Sequence, residues 1–200
     1  KIKDQVYKDS CYSYFAEDLK DASYCENIQD QGKKDACYLN VAPRTGDASL
    51  CEKIQDDQLI KDRCYYEVAL TINDPSICEK VQGAIFSEES CYSGIASMVD
   101  DYSCCEEVQD PKSRDLCYYS FAKEKENVHA CNKIIAIRYR DKCYSMIAKN
   151  IVDSSICDKI YYQDVKDDCY FGVAQTTLDP SYCKKIQDPS KKSQCLDRYS

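Results

Sequence analysis

The chain has 200 residues, a net charge of −8 and sixteen cysteines. Its acidic balance excludes the basic footprint of a nucleic-acid binder. One histidine, five glycines and no tryptophan leave no Gly-rich phosphate loop and no His-centred catalytic constellation, so the chain reads as non-enzymatic.

From the N-terminus, Cys11 opens a pattern that returns every 26 or 27 residues, at Cys37, Cys64, Cys91, Cys117, Cys143, Cys169 and Cys195. A second series, Cys25, Cys51, Cys78, Cys105, Cys131, Cys157 and Cys183, follows the first by 14 residues; only Cys104 lies outside both. A fixed period of this size marks a repeat array in which each unit leans on its neighbours.

Within a copy, Tyr follows the first cysteine in seven of eight cases (Tyr12 to Tyr170, with Leu196 in the last). An apolar residue comes four residues after the cysteine (Phe15, Val41, Val68, Ile95, Phe121, Ile147, Val173), and Ala comes next in every full copy. Offsets of 0, 1, 4 and 5 make one face of an α-helix. Ten residues after the cysteine stands Asp21, Asp47, Asp74, Asp101, Asn127, Asp153 or Asp179, a helix-capping residue, with Pro75 and Pro180 next. A second, shorter helix therefore starts here. It carries the second-series cysteine and an aliphatic residue (Ile28, Ile54, Val81, Val108, Ile134, Ile160, Ile186). Another Asp (Asp30, Asp56, Asp110, Asp188) is expected to cap the next long helix. The repeat is thus a helical hairpin, with a long helix A of about 13 residues and a short helix B of about 8. The expected fold is all-α: a right-handed α-solenoid of about seven and a half hairpins, filling residues 1–200 as a single repeat domain.

Cysteine in this number points to an oxidising compartment, hence an extracellular or cell-surface location. Disulfide-rich intracellular proteins of hyperthermophiles are the rival case. The chain begins with Lys and carries no apolar run long enough for a signal peptide or membrane span, so either a leader has been removed or the chain is a fragment. No Cys-x-x-Cys pair occurs, and spacings of 12 to 14 do not match zinc modules, so no metal or cofactor is expected. His129 replaces a Ser found at the same offset in the other copies and reads as a helix-start residue.

Two disulfide schemes satisfy the period. A helix-A cysteine can join its own helix B, or a helix-B cysteine can join the next helix A. The invariant 14-residue interval suits the first. The lean of side chains toward the helix N-terminus favours the second, because it cancels the axial offset across the B-to-A turn. The second gives Cys25–Cys37, Cys51–Cys64, Cys78–Cys91, Cys105–Cys117, Cys131–Cys143, Cys157–Cys169 and Cys183–Cys195. Cys11 and Cys104 are then left over, as thiols or as bonds to another chain. A Lys or Arg followed by Asp precedes most first-series cysteines, from Lys8–Asp9 to Lys166–Asp167. That Asp lies three residues before the recurrent Tyr, a spacing compatible with an Asp-to-Tyr hydroxyl hydrogen bond within or between copies. The ladder reads either as a binding stripe or as a repeated structural staple; its recurrence favours the staple.

The pattern D-x-C-Y-x-x-x-A followed by D-x-S-x-C-x-K-I resembles cysteine-rich helical-hairpin repeats of predicted archaeal surface and secreted proteins. The hairpins are also similar to tetratricopeptide and Sel1-like arrays, although the tetratricopeptide period is about 34 and its Trp and Gly signatures are missing here. The resemblance covers the whole chain at the level of architecture. It implies a non-catalytic scaffold or interaction protein and carries over no functional residue. The expected role is a rigid building block of a cell-surface layer or filament. Its expected partner is a second copy, docked head to tail at the first hairpin, or another protein. The alternative is a secreted solenoid that binds protein, peptide or glycan on its concave face, with Tyr66, Tyr119 and Phe171 on a stripe interrupted by Ser13, Ser93 and Ser145.

Overall fold

A computed structural model describes residues 4–199. They form long and short helices in strict alternation, and no strand occurs among them. The long helices are α1 (Gln5–Leu19), α2 (Gln31–Thr45), α3 (Gln58–Ile72), α4 (Glu88–Val99), α5 (Pro111–Lys125), α6 (Ile137–Asn150), α7 (Gln163–Thr177) and α8 (Pro189–Leu196). The short helices are Ala22–Asn27, Ala48–Lys53, Pro75–Lys80, Tyr102–Glu107, Val128–Lys133, Ser154–Lys159 and Pro180–Lys185. All are 3₁₀ helices except Val128–Lys133, which is α.

The lengths depart from the sequence reading. Most long helices run 15 residues and every short one runs six. A short helix ends where its aliphatic residue turns extended, as at Ile28 (φ −74°, ψ 130°), whose N–H returns to Cys25 O. Three residues per 3₁₀ turn stack positions i and i+3. That places Cys25 over Ile28, and both are buried. The Cys-x-x-aliphatic spacing is therefore the signature of this single tight turn.

Each of the first three long helices, and α5 and α7, ends on a left-handed residue nine positions after its cysteine: Lys20, Gly46, Asn73, Glu126 and Leu178. Asp100 and Val152 hold the same offset and also have positive φ. Only Gly46 is free of the Cβ penalty there. The capping residue one position later then opens the short helix: the Asp21 carboxylate accepts Ser23 N–H at 2.9 Å, and Asn127 accepts His129 N–H at 2.9 Å. Asp30, Asp110 and Asp188 cap the following long helices as expected, but α3 is capped by Asp57 and not by Asp56. The extra residue in that turn moves the cap by one.

The chain divides into two compact units, Lys1–Val99 and Asp100–Ser200. In each, every long helix packs on the next long helix of the same unit, and the short helices fill the seams. The core is built from the recurrent positions. Val41, Val68, Phe121, Ile147 and Val173 are fully buried, as is the Ala that follows each. A fully buried Val or Ile contributes about 1.5–3 kcal/mol. The small Ala lets neighbouring helices approach closely.

Candidate functional site

The chemistry of the chain is concentrated at the joints, where one hairpin's short helix meets the next long helix. Seven disulfides close these joints: Cys25–Cys37, Cys51–Cys64, Cys78–Cys91, Cys105–Cys117, Cys131–Cys143, Cys157–Cys169 and Cys183–Cys195. Each pair lies 12 or 13 residues apart in sequence with Cα atoms 5.5–5.7 Å apart. This is the B-to-next-A scheme. In the chain-entropy description each such loop is worth about 3 kcal/mol. Seven disulfides point to an oxidising compartment.

Beside each regular disulfide sits the recurrent Asp, and its role differs from the one expected. It does not reach the Tyr. Asp9, Asp35, Asp62, Asp115, Asp141 and Asp167 are all at most 5% exposed, and each accepts from the backbone of the next B-to-A turn, two N–H groups at five of them and one at Asp62. Asp167 takes Gln187 N–H and Asp188 N–H, both at 2.9 Å; Asp141 takes Tyr161 N–H at 3.1 Å and Tyr162 N–H at 2.8 Å. The turn has no helical partner for these donors, and a buried orphan donor costs about 1–3 kcal/mol. The Asp resolves that cost.

At four joints a Gln at the first helical position adds a third donor through its side-chain amide. Gln5 reaches Asp9 at 2.6 Å, Gln31 reaches Asp35 at 2.7 Å, Gln58 reaches Asp62 at 2.9 Å and Gln163 reaches Asp167 at 2.8 Å. Burial works against ionisation of Asp9, yet these donors, the N–H groups of Gln29 and Asp30, and Lys33 outweigh it and hold the carboxyl below its usual range. Asp167 is held low in the same way, against burial, by Gln187, Asp188, Gln163 and Lys191.

The recurrent Tyr has its own partner: the acid or amide that directly follows the short-helix cysteine. Tyr170 donates to Asp158, and Tyr144 donates to Asn132. Burial, then the Glu26 carboxylate, push the Tyr38 phenol up; burial, then Asp158, do the same to Tyr170. A Lys on the next short helix completes the group. Lys53 pairs with Glu26 over the Tyr38 ring, and Lys80 pairs with Glu52 at 2.9 Å over the Tyr65 ring. Lys133–Glu106 and Lys185–Asp158 repeat the ion pair. These pairs are about half exposed, so each adds little stability. The clue to this group was on the page: the acid lies 12 or 13 residues before its Tyr at every such joint. So was the Gln six residues before the cysteine.

The arrangement uses its reactive groups internally. At the joints the cysteines are in disulfides, the recurrent Asp carboxylates hold backbone N–H groups, and the Tyr144 and Tyr170 phenols donate hydrogen bonds. Among the described residues, no group of three or more His, Cys, Asp or Glu is placed to hold a metal ion. No described helix is long and apolar enough to cross a membrane. His129 is exposed in the first turn of its short helix. The aromatic stripe is partly covered: Tyr66 meets Phe86 with ring centroids 5.4 Å apart, Tyr119 meets Tyr139 at 5.9 Å, and Arg198 lies over Phe171 at 5.4 Å.

Cys11 and Cys104 stand outside the seven disulfides, both half-buried. On α1 three of the positions that form the core elsewhere are less covered, while Ala16 is buried as in the other copies. Phe15 is 46% exposed, against at most 2% at the same position in later copies, and Cys11 and Tyr12 are half-buried. Tyr7, Tyr14 and Leu19 are exposed on the same helix. The chain matches no family model, no curated protein and no solved structure.

Proposed function

We propose that this chain is a non-catalytic structural protein of the cell exterior, a disulfide-stapled building block of a surface layer or filament. The observation that carries this reading is the joint. Seven disulfides, six stapling Asp residues and six buried Tyr residues fix one hairpin against the next. Such redundancy suits a part that must hold its shape without help from a reducing cytosol. The partner in such a polymer is a second copy of the chain, docked head to tail. A heterologous contact of this kind propagates into a filament unless its rotation closes a ring.

Electron microscopy of material isolated from its source tests the proposal. Ordered polymers are the expected result, and their loss in Phe15→Ser and Cys11→Ser variants places the contact on α1. Monodisperse particles at every concentration overturn it and favour the second reading, a secreted solenoid that binds a protein, peptide or glycan.

A further inference from the structure

The six stapling aspartates are not equally satisfied. At α5 the position held by Gln in four other long helices is Pro111, which has no side-chain donor. Asp115 accordingly receives only Ile135 N–H at 2.8 Å on one oxygen and Ala136 N–H at 2.9 Å on the other. It is the most exposed of the six at 5%, whereas Asp141, with Ile137 at the Gln position, is 0% exposed. In front of Asp115 lies a cavity of about 250 Å³, lined by Pro111, Lys112, Asp115, Ile135, Ala136 and Tyr139. Its walls are largely apolar. The volume is below the roughly 300–1,000 Å³ of pockets for drug-sized ligands, and it suits one side chain.

A carboxylate oxygen has room for two donors, and each Asp115 oxygen has one. A buried acceptor beside an apolar hollow favours a ligand that brings the missing N–H on an apolar stem. The chain itself displays such a group at Asp9, Asp35, Asp62 and Asp167: a primary carboxamide on a two-carbon stem. We propose that the notch at Pro111 and Tyr139 binds a primary carboxamide on a short alkyl chain, as presented by a glutamine side chain of another polypeptide. The amide N–H meets Asp115 and the stem lies against Pro111, Ile135 and Tyr139. Lys112 also lines the notch and adds a positive charge near the Asp115 carboxylate, which weakens its pull on an alkylammonium. The site does not depend on whether the chain polymerises.

The test is a titration of the whole protein with butyramide, read at the backbone ¹H–¹⁵N resonances of Ile135 and Ala136. Saturable shifts in the millimolar range are expected, in keeping with a ligand of so few atoms. Pro111→Gln supplies the carboxamide internally, as four other helices do, and weakens the response about tenfold or more. N,N-dimethylbutyramide keeps the stem without an N–H and gives no saturable shift. The proposal fails if the dimethyl amide binds as well as butyramide, if butylammonium binds more tightly, if Pro111→Gln binds like the wild type, or if no resonance saturates.

Discussion

Two joints of the first unit, the one that Asp35 closes and the one that Asp62 closes, are bonded alike and built differently. Their disulfides, Cys51–Cys64 and Cys78–Cys91, hold Cα atoms at 5.6 and 5.5 Å. Around Asp35 the turn is short, residues 54–57, and both Gln55 and Asp56 give their N–H groups to the carboxylate. Around Asp62 the turn runs over residues 81–87, and Gln82 N–H is its only backbone donor to that carboxylate. Gly83 stands where Asp56 stands in the other joint, and a Cβ there would come within 2.5 Å of Asp62 Oδ2. Helix α4 starts three residues before its cysteine, where α3 starts six before its own. Glu89 replaces the stapling Asp in α4, and Ser87 and Ser90 bond to each other at its start. The disulfide and the core positions thus tolerate a change in the turn. The stapling Asp, by contrast, works in full only when the turn is short enough to aim two N–H groups at it.

The largest effect expected is from reduction. Thiol reagents under mildly denaturing conditions should open all seven disulfides and abolish the cooperative thermal transition, because each short helix is only six residues long. A single pair, such as Cys51→Ala with Cys64→Ala, should cost about 3 kcal/mol in the chain-entropy description, and Cys78→Ala with Cys91→Ala about the same. Unequal losses in chemical denaturation would break the view that the two disulfides are equivalent.

Next in size is the staple itself. Asp35→Ala leaves two turn N–H groups without their acceptor and should cost about 3 kcal/mol, whereas Asp62→Ala leaves one and should cost about half as much. Urea unfolding of both variants separates the two joints; equal losses would mean that the turn at Asp62 is held by more than its carboxylate.

The smallest effect is pH dependence. Asp9 and Asp167 have folded carboxyls held below their unfolded value of about 3.9. Their contribution to stability is therefore fully present above about pH 4 and is lost as the pH falls through the lower, folded value. Thermal melts should be flat from neutral pH to about pH 4 and decline below it. Asp9→Asn, which cannot ionise, should lower the plateau and flatten the decline.

Much of this was legible before any coordinates. The period, the offsets 0, 1, 4 and 5, and the Asp caps specify helical hairpins, because each rests on local backbone geometry that a sequence states directly. The cysteine pairing was narrowed to two schemes, since each short-helix cysteine lies within 14 residues of a candidate on either side. What the sequence misassigned was the stapling Asp. Asp35 is three residues from Tyr38 along the chain, yet it bonds to Gln55 and Asp56, 20 and 21 residues away. Its neighbour in sequence gave no hint of this, because the partners are backbone N–H groups, which every residue but proline carries. The notch at Asp115 was hidden for a different reason, since it depends on which side chains the packed joint leaves apart. Pro111 reads as an ordinary helix start, and only the packed joint reveals that a donor present at four other joints is missing there. Sequence alone determined the hairpins and their period, because local geometry and capping act within a few residues. Tertiary structure alone decided which carboxylate meets which turn and which face stays open, because burial and unpaired donors exist only once the hairpins are packed.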